Sequence, residues 1–195
     1  MVLRPLETTD VPDLARAAAE RGPGTTYGFI PVGLTQTRQY VDDALASRER
    51  GLRYPFAIVW NDRVVGSTSF WDFQIWQWPS GSHLQRTDLP DAVEIGYTWL
   101  GASARRTRCN TESKYLLLRQ AFEAWRVHRV SIRTDERNLC SRQAIERLGA
   151  KLDGVIRADK PGIDGAVRNT AHYSVIAAEW PAVQARLEAL LEPRS

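Results

Sequence analysis

The chain has 195 residues, 43% of them apolar, and carries 26 Lys/Arg against 23 Asp/Glu for a net charge of +3. That length supports a core of its own and is read as one domain over residues 1–195, while the apolar runs fall far short of the ~20 residues a membrane span requires. Cys109 and Cys140 lack C-x-x-C spacing and the three histidines are scattered, which excludes a disulfide framework and offers no metal motif, so a soluble, cytoplasmic protein without a metal is expected.

VLRPL (2–6) reads as a strand, and Thr9 with Asp10 opens a helix running through Arg21 to the stop Gly22-Pro23-Gly24. Residues 35–49 make a second helix. Strands 54–60 and 63–73 flank Asn61-Asp62, a two-residue hairpin signal. The segment 74–91 holds Trp76, Trp78, Pro79 and Gly81 and is longer than most connections, which makes it a candidate substrate loop. In VEIGYTWL (93–100), Val93, Ile95, Tyr97 and Trp99 alternate onto one face. A helix over 111–125, a strand over 128–134, a helix over 139–148 ended by Gly149 and a strand over 151–160 follow. The turn 161–165, a strand over 167–177 and a helix over 179–191 complete the series. Interleaved strands and helices with two hairpins predict a mixed sheet covered by helices, an α/β (α+β) fold.

Charge is unevenly spread. Residues 1–100 hold 9 Lys/Arg and 12 Asp/Glu, whereas residues 101–195 hold 17 and 11, so the second half favours an anionic partner or simply presents a solvated basic surface. Arg105, Arg106 and Arg108 lie between a strand and a helix start, where backbone N–H groups and the helix dipole attract phosphate oxygens. Leu118, Ala121, Phe122 and Trp125 anchor one side of that helix at i, i+3, i+4, i+7 spacing. No Gly-Lys-Ser/Thr follows and no G-x-G-x-x-G occurs, which removes most support for nucleotide hydrolysis or dinucleotide redox chemistry. Downstream, Asn138 is a good N-cap, and Ser141 falls in line with the apolar stripe Ala144, Ile145, Leu148. The Ser141 hydroxyl needs a partner there: the carbonyl one turn back, which is the commoner case, or something bound against the sheet.

EIGYTWL (94–100), RRTRCNTESKYLLLRQAFE (105–123), RVSIRTDERNLCSRQAIERLGAKLDGVIR (129–157) and DGAVRNTAHYSV (164–175) followed by EWP (179–181) together resemble the GNAT superfamily of acetyl-coenzyme A-dependent N-acetyltransferases, and within it the RimJ/RimL-like branch. The resemblance implies a GNAT fold with about seven strands, splayed in the middle and covered by helices on both faces. It implies acetyl-CoA as co-substrate, with pantetheine along Trp99 and Leu100 and the diphosphate on Arg105, Arg106, Thr107, Arg108, Cys109, Asn110 and Thr111. The superfamily loop is usually Q/R-x-x-G-x-G/A. Here Arg108 stands for the glycine and Asn110 for the second small residue. A left-handed backbone at Arg108 would cost ~1–2 kcal/mol, so either the loop is helical there or coenzyme binding is weakened.

The resemblance further implies that Asn138 touches the pantetheine arm and that a group on the same helix protonates the departing thiolate. Ile145 stands where many members have a tyrosine, which makes Ser141 the candidate acid and Tyr173 the reserve, although Tyr173 also reads as a packed strand residue. Glu94 is the candidate base, set against a solvated or salt-bridged glutamate. Trp71, Tyr97 and Trp76 would border the acceptor, with core or dimer-interface packing as the plainer role of the tryptophans. Cys140 beside His128 or His172 lacks a third group to orient a thiol nucleophile. A neutral α-amine (pKa near ~7.8) asks less of a base than a lysine side chain (near ~10.4), which favours a protein N-terminus as acceptor. A small metabolite or antibiotic amine, a non-catalytic acyl-CoA-binding module, and a nucleic-acid binder resting only on ARRTR are the alternatives. Either a monomer or a homodimer is compatible with the sequence.

Overall fold

Strand β1 (Val2–Pro5) pairs antiparallel with β2 (Arg53–Trp60), which turns into β3 (Arg63–Gln74) through Asn61 and Asp62, both at positive φ (50° and 59°). This is the type I′ geometry whose twist suits a two-residue hairpin. The computed structural model describes residues 1–20, 27–86 and 88–192. Helix α1 (Val11–Ala19) stops two residues short of Arg21, and Arg21 with Gly22-Pro23-Gly24 lies outside the described residues. Helix α2 is Gly33–Glu49.

Strand β4 (Ala92–Leu100) continues the sheet antiparallel to β3, and then the topology changes. Helix α3 (Cys109–Arg119), extended by a π-turn over Gln120–Ala124, carries the chain across to β5 (Arg129–Asp135), which runs parallel to β4. Helix α4 is Leu139–Leu148, β6 is Lys151–Pro161, β7 is Val167–Ile176 and α5 is Trp180–Leu191. The seven strands lie in the order β1-β2-β3-β4-β5-β7-β6, antiparallel except at β4–β5, with helices on both faces. Leu14, Ala18, Tyr40 and Val41 from α1 and α2 cover one face, and Leu117, Leu118, Ile145, Leu148, Val183 and Leu187 from α3, α4 and α5 cover the other. Burying each such leucine stabilises the fold by about 1.5–3 kcal/mol.

Two features of β4 position the site. Its pairing with β5 covers Ala92↔Arg129, Val93↔Val130 and Glu94↔Ser131 only, so beyond Glu94 the strands part and the β5-facing edge of β4 stands open. The second corrects the expected alternation. Val93 and Ile95 enter the core under α3 and α5, but Trp99 enters the one under α1 and α2, on the opposite face. Tyr97 (φ 52°) is an extra residue between Gly96↔Ser69 and Trp99↔Ser67, and this bulge reverses the facing of everything after it.

Candidate functional site

The mouth of the β4–β5 opening holds a cavity of about 210 Å³ lined by Trp71, Glu94, Gly96, Tyr97, Arg133 and the β6–β7 residues Lys160 and Arg168. Strand register explains the grouping, because Trp71 is the partner of Glu94 on the neighbouring strand. The Trp71 indole lies on Gly96, where a Cβ would stand 2.4 Å from Nε1, so only glycine admits the ring against the strand. Tyr97 meets Trp71 edge-on, with ring centroids 5.3 Å apart.

Glu94 is 3% exposed, and its Oε2 forms an ion pair with Arg133 Nε at 2.8 Å that lacks hydrogen-bond geometry. Burial pushes its carboxyl up to about 7 despite the nearby Arg133 guanidinium, which acts in the opposite sense and is shared with Asp72 at 2.9 Å. A carboxyl titrating there is suited to taking a proton near neutral pH.

The arginine-rich loop is less open than its sequence implies. Arg105 Nε donates to the Leu100 carbonyl (2.9 Å) and Arg108 Nη1 to the Leu191 carbonyl (2.6 Å), which leaves Arg106 as the exposed arginine of the loop whose guanidinium no such bond engages among the described residues. Arg108 is right-handed helical (φ −71°, ψ −10°), so the left-handed cost expected at this position does not arise. The left-handed residue is Arg106, at φ 58°. Thr107 Oγ1 donates to the Ala104 carbonyl and accepts from the Cys109 amide, so the helix begins at Cys109, two residues earlier than the periodicity indicated. The Asn110 and Thr111 amides have no backbone partner among the described residues, and with Arg106 they form the part of the loop that suits an anion. The Cys109 side chain is fully buried, and the Thr111 hydroxyl accepts from Arg147 Nη2 at 2.9 Å, so both residues face inward. Trp99 and Leu100 bury their side chains and offer the strand edge only through their backbone.

Asn138 caps α4 by accepting the Ser141 amide on Oδ1 at 3.1 Å. Among the described residues the Ser141 hydroxyl makes no hydrogen bond, so the back-bonded serine, the commoner case, is not the one adopted. Tyr173 differs. Its ring is buried, its hydroxyl donates to Glu146 Oε1 (2.7 Å) and accepts from Arg142 Nε (2.9 Å), and burial raises its pKa further.

Trp76 stands away from this cavity. Its amide donates to Asp91 Oδ2 at 2.7 Å, Trp78 Nε1 donates to Asp91 Oδ1 at 3.1 Å, and the Trp76 ring stacks on His128 at 5.5 Å. Arg86 bonds the carbonyls of Trp125, Arg126 and Pro90, so much of the 74–91 segment is pinned near the start of β5 rather than over Glu94. Two residues near the site escaped the sequence reading: Arg53 and Lys114, both buried cations. Arg53 stands just ahead of the apolar run 54–60 and Lys114 follows the polar residues Asn110, Thr111, Glu112 and Ser113, so neither position carried a sequence signal of burial.

The chain matches the acetyltransferase (GNAT) domain family over residues 1–151. No curated protein matches it. Among solved structures, a candidate acetyltransferase from T. thermophilus is 32% identical with a TM-score of 0.76, covering 97% of this chain and 93% of that one. RimJ of Mycobacterium smegmatis in complex with CoA-disulfide is 20% identical (TM-score 0.76), covering 96% of this chain and 88% of that one. The ribosomal L7/L12 α-N-protein acetyltransferase RimL in complex with coenzyme A is 18% identical (TM-score 0.70), covering 89% and 92%. The last two likenesses concern the fold alone. Among the described residues no helix is long and apolar enough to cross a membrane.

Proposed function

The chain belongs to the acetyltransferase (GNAT) domain family and is an acetyl-CoA-dependent N-acetyltransferase; on that premise we propose that it acetylates a protein N-terminal α-amine in the manner of the RimJ/RimL-like branch. The observation that carries the site assignment is the parting of β4 and β5 directly beyond Glu94, a buried carboxylate at the fork of an open strand edge. The reading takes residues 1–195 as one catalytic domain.

Acetyl-CoA supplies an activated acetyl thioester. The open edge of β4 near Trp99 and Leu100 pairs with its amide-bearing arm, Asn138 adds a contact, and Arg106 with the Asn110 and Thr111 amides holds the diphosphate. Thr107, Arg105, Arg108 and Cys109 shape the loop from within. Glu94 removes the proton from the acceptor ammonium, directly or through a water. As the new N–C bond forms and the C–S bond breaks, Ser141 gives its proton to the sulfur and regains one from the nitrogen, which sheds its second proton on becoming the amide, while backbone donors at the Tyr97 bulge polarise the carbonyl. Trp71 and Tyr97 wall the amine in. Raising an α-amine (pKa near ~7.8) to its neutral form at pH 7 costs about 1 kcal/mol, against over ~4 for a lysine side chain, and a carboxylate titrating at about 7 is matched to the smaller task.

A thiol-release assay with acetyl-CoA tests this reading on peptides bearing a free α-amine and on the same peptides with the α-amine blocked and a lysine present. Turnover confined to the free α-amines supports it. Equal turnover of lysine, or of small amines alone, removes the N-terminal assignment.

A further inference from the structure

Arg53, Trp71 and Glu94 stand abreast on β2, β3 and β4, since Arg53 pairs with Trp71 and Trp71 with Glu94. Arg53 is only 6% exposed, which is costly for a guanidinium unless its charge is answered. Its Nε donates to Ser69 Oγ at 2.8 Å and its Nη2 to the Tyr40 hydroxyl at 2.9 Å. Its guanidinium carbon lies 3.8 Å above the Tyr97 ring and 5.2 Å from that of Tyr40. Among the described residues Arg53 has no ion pair with a carboxylate, and its Nη1 makes no hydrogen bond.

This cation sits in the wall of a second cavity, of about 560 Å³, which α2 and the Tyr97 bulge also line. Asp43 is at the exposed rim, held by Gln39 at 2.8 Å rather than by Arg53. Tyr97 lines both cavities, so the space in front of Glu94 and the space in front of Arg53 adjoin at its ring. Two tyrosines and a serine fix the guanidinium in one orientation before anything binds, the preorganisation that favours two-point capture of a planar anion.

We infer that the second cavity is an anion subsite for the acceptor, in which Arg53 takes a carboxylate or phosphate carried by the same molecule whose amine faces Glu94. This rests on the proposed role of the Glu94 cavity as the amine site. Two strand spacings, about 10 Å, separate the backbones that carry Arg53 and Glu94, and amine and anion are sought on a comparable scale. The α-carboxylate of an amino acid, an acidic side chain near a peptide N-terminus and a phosphoamine all lie within that span.

The test uses the full chain, acetyl-CoA and three matched acceptor pairs: alanine and alaninamide, Ala-Glu-amide and Ala-Gln-amide, phosphoethanolamine and ethanolamine. Rates are expressed per neutral amine, so that differing amine pKa values do not mimic a preference. The wild-type kcat/KM is expected to favour the anionic member of at least one pair by about tenfold, and the pair that responds identifies the source of the anion. Arg53→Met brings that ratio near one with the KM for acetyl-CoA unchanged, and Arg53→Lys keeps part of it. Parity in the wild type on all pairs overturns the inference. So does a preference that survives Arg53→Met, including one lost instead in Arg168→Gln, which would assign the anion to the first cavity. If no amine is turned over, the proposed reaction fails separately, and calorimetry with N-acetyl-Ala-Glu-amide, N-acetylalanine and N-acetylphosphoethanolamine decides. Saturable heat from any of them that Arg53→Met abolishes supports the subsite; its absence from all three overturns it.

Discussion

Arg133 Nε approaches Glu94 Oε2 to 2.8 Å, and yet burial outweighs the guanidinium and holds the Glu94 carboxyl up at about 7. A base must be ionised to act, so the rate rises as pH climbs through about 7, from the protonated toward the ionised carboxyl. The profile of kcat/KM then carries two limbs, one from Glu94 and one near ~7.8 from a free α-amine. Glu94→Gln deletes the first limb, leaves the second, and lowers turnover on the order of 10²-fold or more. Arg133→Met removes the charge that favours ionisation and shifts the Glu94 limb to higher pH. Stopped-assay profiles from about pH 5.5 to 9 check both; an unaltered first limb in Glu94→Gln would take this residue out of the mechanism.

Lys114 is the opposite case, a base buried with no ion pair among the described residues. Its Nζ lies 2.6 Å from Thr98 Oγ1 and 3.3 Å from Thr68 Oγ1, and burial lowers its pKa to about 7, with the Cys109 thiol acting weakly against that shift. The unfolded chain therefore binds a proton at Lys114 between pH 7 and 10.5 that the folded chain does not. Over that window folding stability gains about 1.4 kcal/mol per pH unit from this group as pH rises, and below 7 its full penalty is present. Lys114→Met abolishes this dependence. The melting temperature of the variant relative to wild type is highest at about pH 6–7 and declines toward about pH 9.5, even though the two threonine contacts are lost. A difference that stays flat with pH would mean that Lys114 remains charged in the fold.

These two groups mark where the sequence was legible and where it was not. The Asn61-Asp62 hairpin, the Asn138 cap and the Gly149 stop were readable because each depends on local backbone chemistry, and the structure holds Gly149 at φ 102° as a helix-ending glycine requires. The Tyr97 bulge was not, because an unbroken apolar alternation from Val93 to Trp99 carries no mark of where one residue is left unpaired. Trp76 misled for a related reason. Tryptophans in a long loop suit a binding clamp and a pinned corner equally, and Asp91, fully buried and bonded to both Trp76 and Trp78, decides for the corner. Arg53 and Lys114 were passed over because cations are rarely buried, a prior that fails where a cleft supplies hydroxyls and rings in place of carboxylates.

The positive φ at Arg106 separates two effects that the loop sequence merges. A left-handed backbone costs a non-glycine residue about 1 kcal/mol, so Arg106→Gly should be more stable than Arg106→Ala by about that amount. Both lose the exposed guanidinium and should weaken acetyl-CoA binding severalfold, more at low salt than at high. Arg108→Gly should gain nothing, because Arg108 is already helical and its side chain holds the Leu191 carbonyl at the end of α5. Denaturant titrations of the three variants, with calorimetric Kd values for acetyl-CoA at two salt concentrations, test this ordering. A stabilised Arg108→Gly would show that the strain lies at 108 after all.

Ser141 and Tyr173 divide the remaining question of the acid. The Ser141 hydroxyl makes no hydrogen bond among the described residues, whereas the Tyr173 proton is engaged by Glu146 and its oxygen by Arg142. Ser141→Ala should therefore lower kcat by about 10–100-fold with the KM for acetyl-CoA nearly unchanged, the pattern of an interaction made only as sulfur leaves. Tyr173→Phe should leave kcat within severalfold and instead lose about 1–3 kcal/mol of stability, because Glu146 and Arg142 lose their shared partner. Replacing the thioester sulfur's alkyl group with a better leaving aryl thiol sharpens the comparison. The acid matters less for such a donor, so the Ser141→Ala defect should shrink with it, while any Tyr173→Phe defect arising from α4 packing should persist. If Tyr173→Phe suffers the larger loss and that loss is the one relieved by the aryl thioester, the two roles are exchanged.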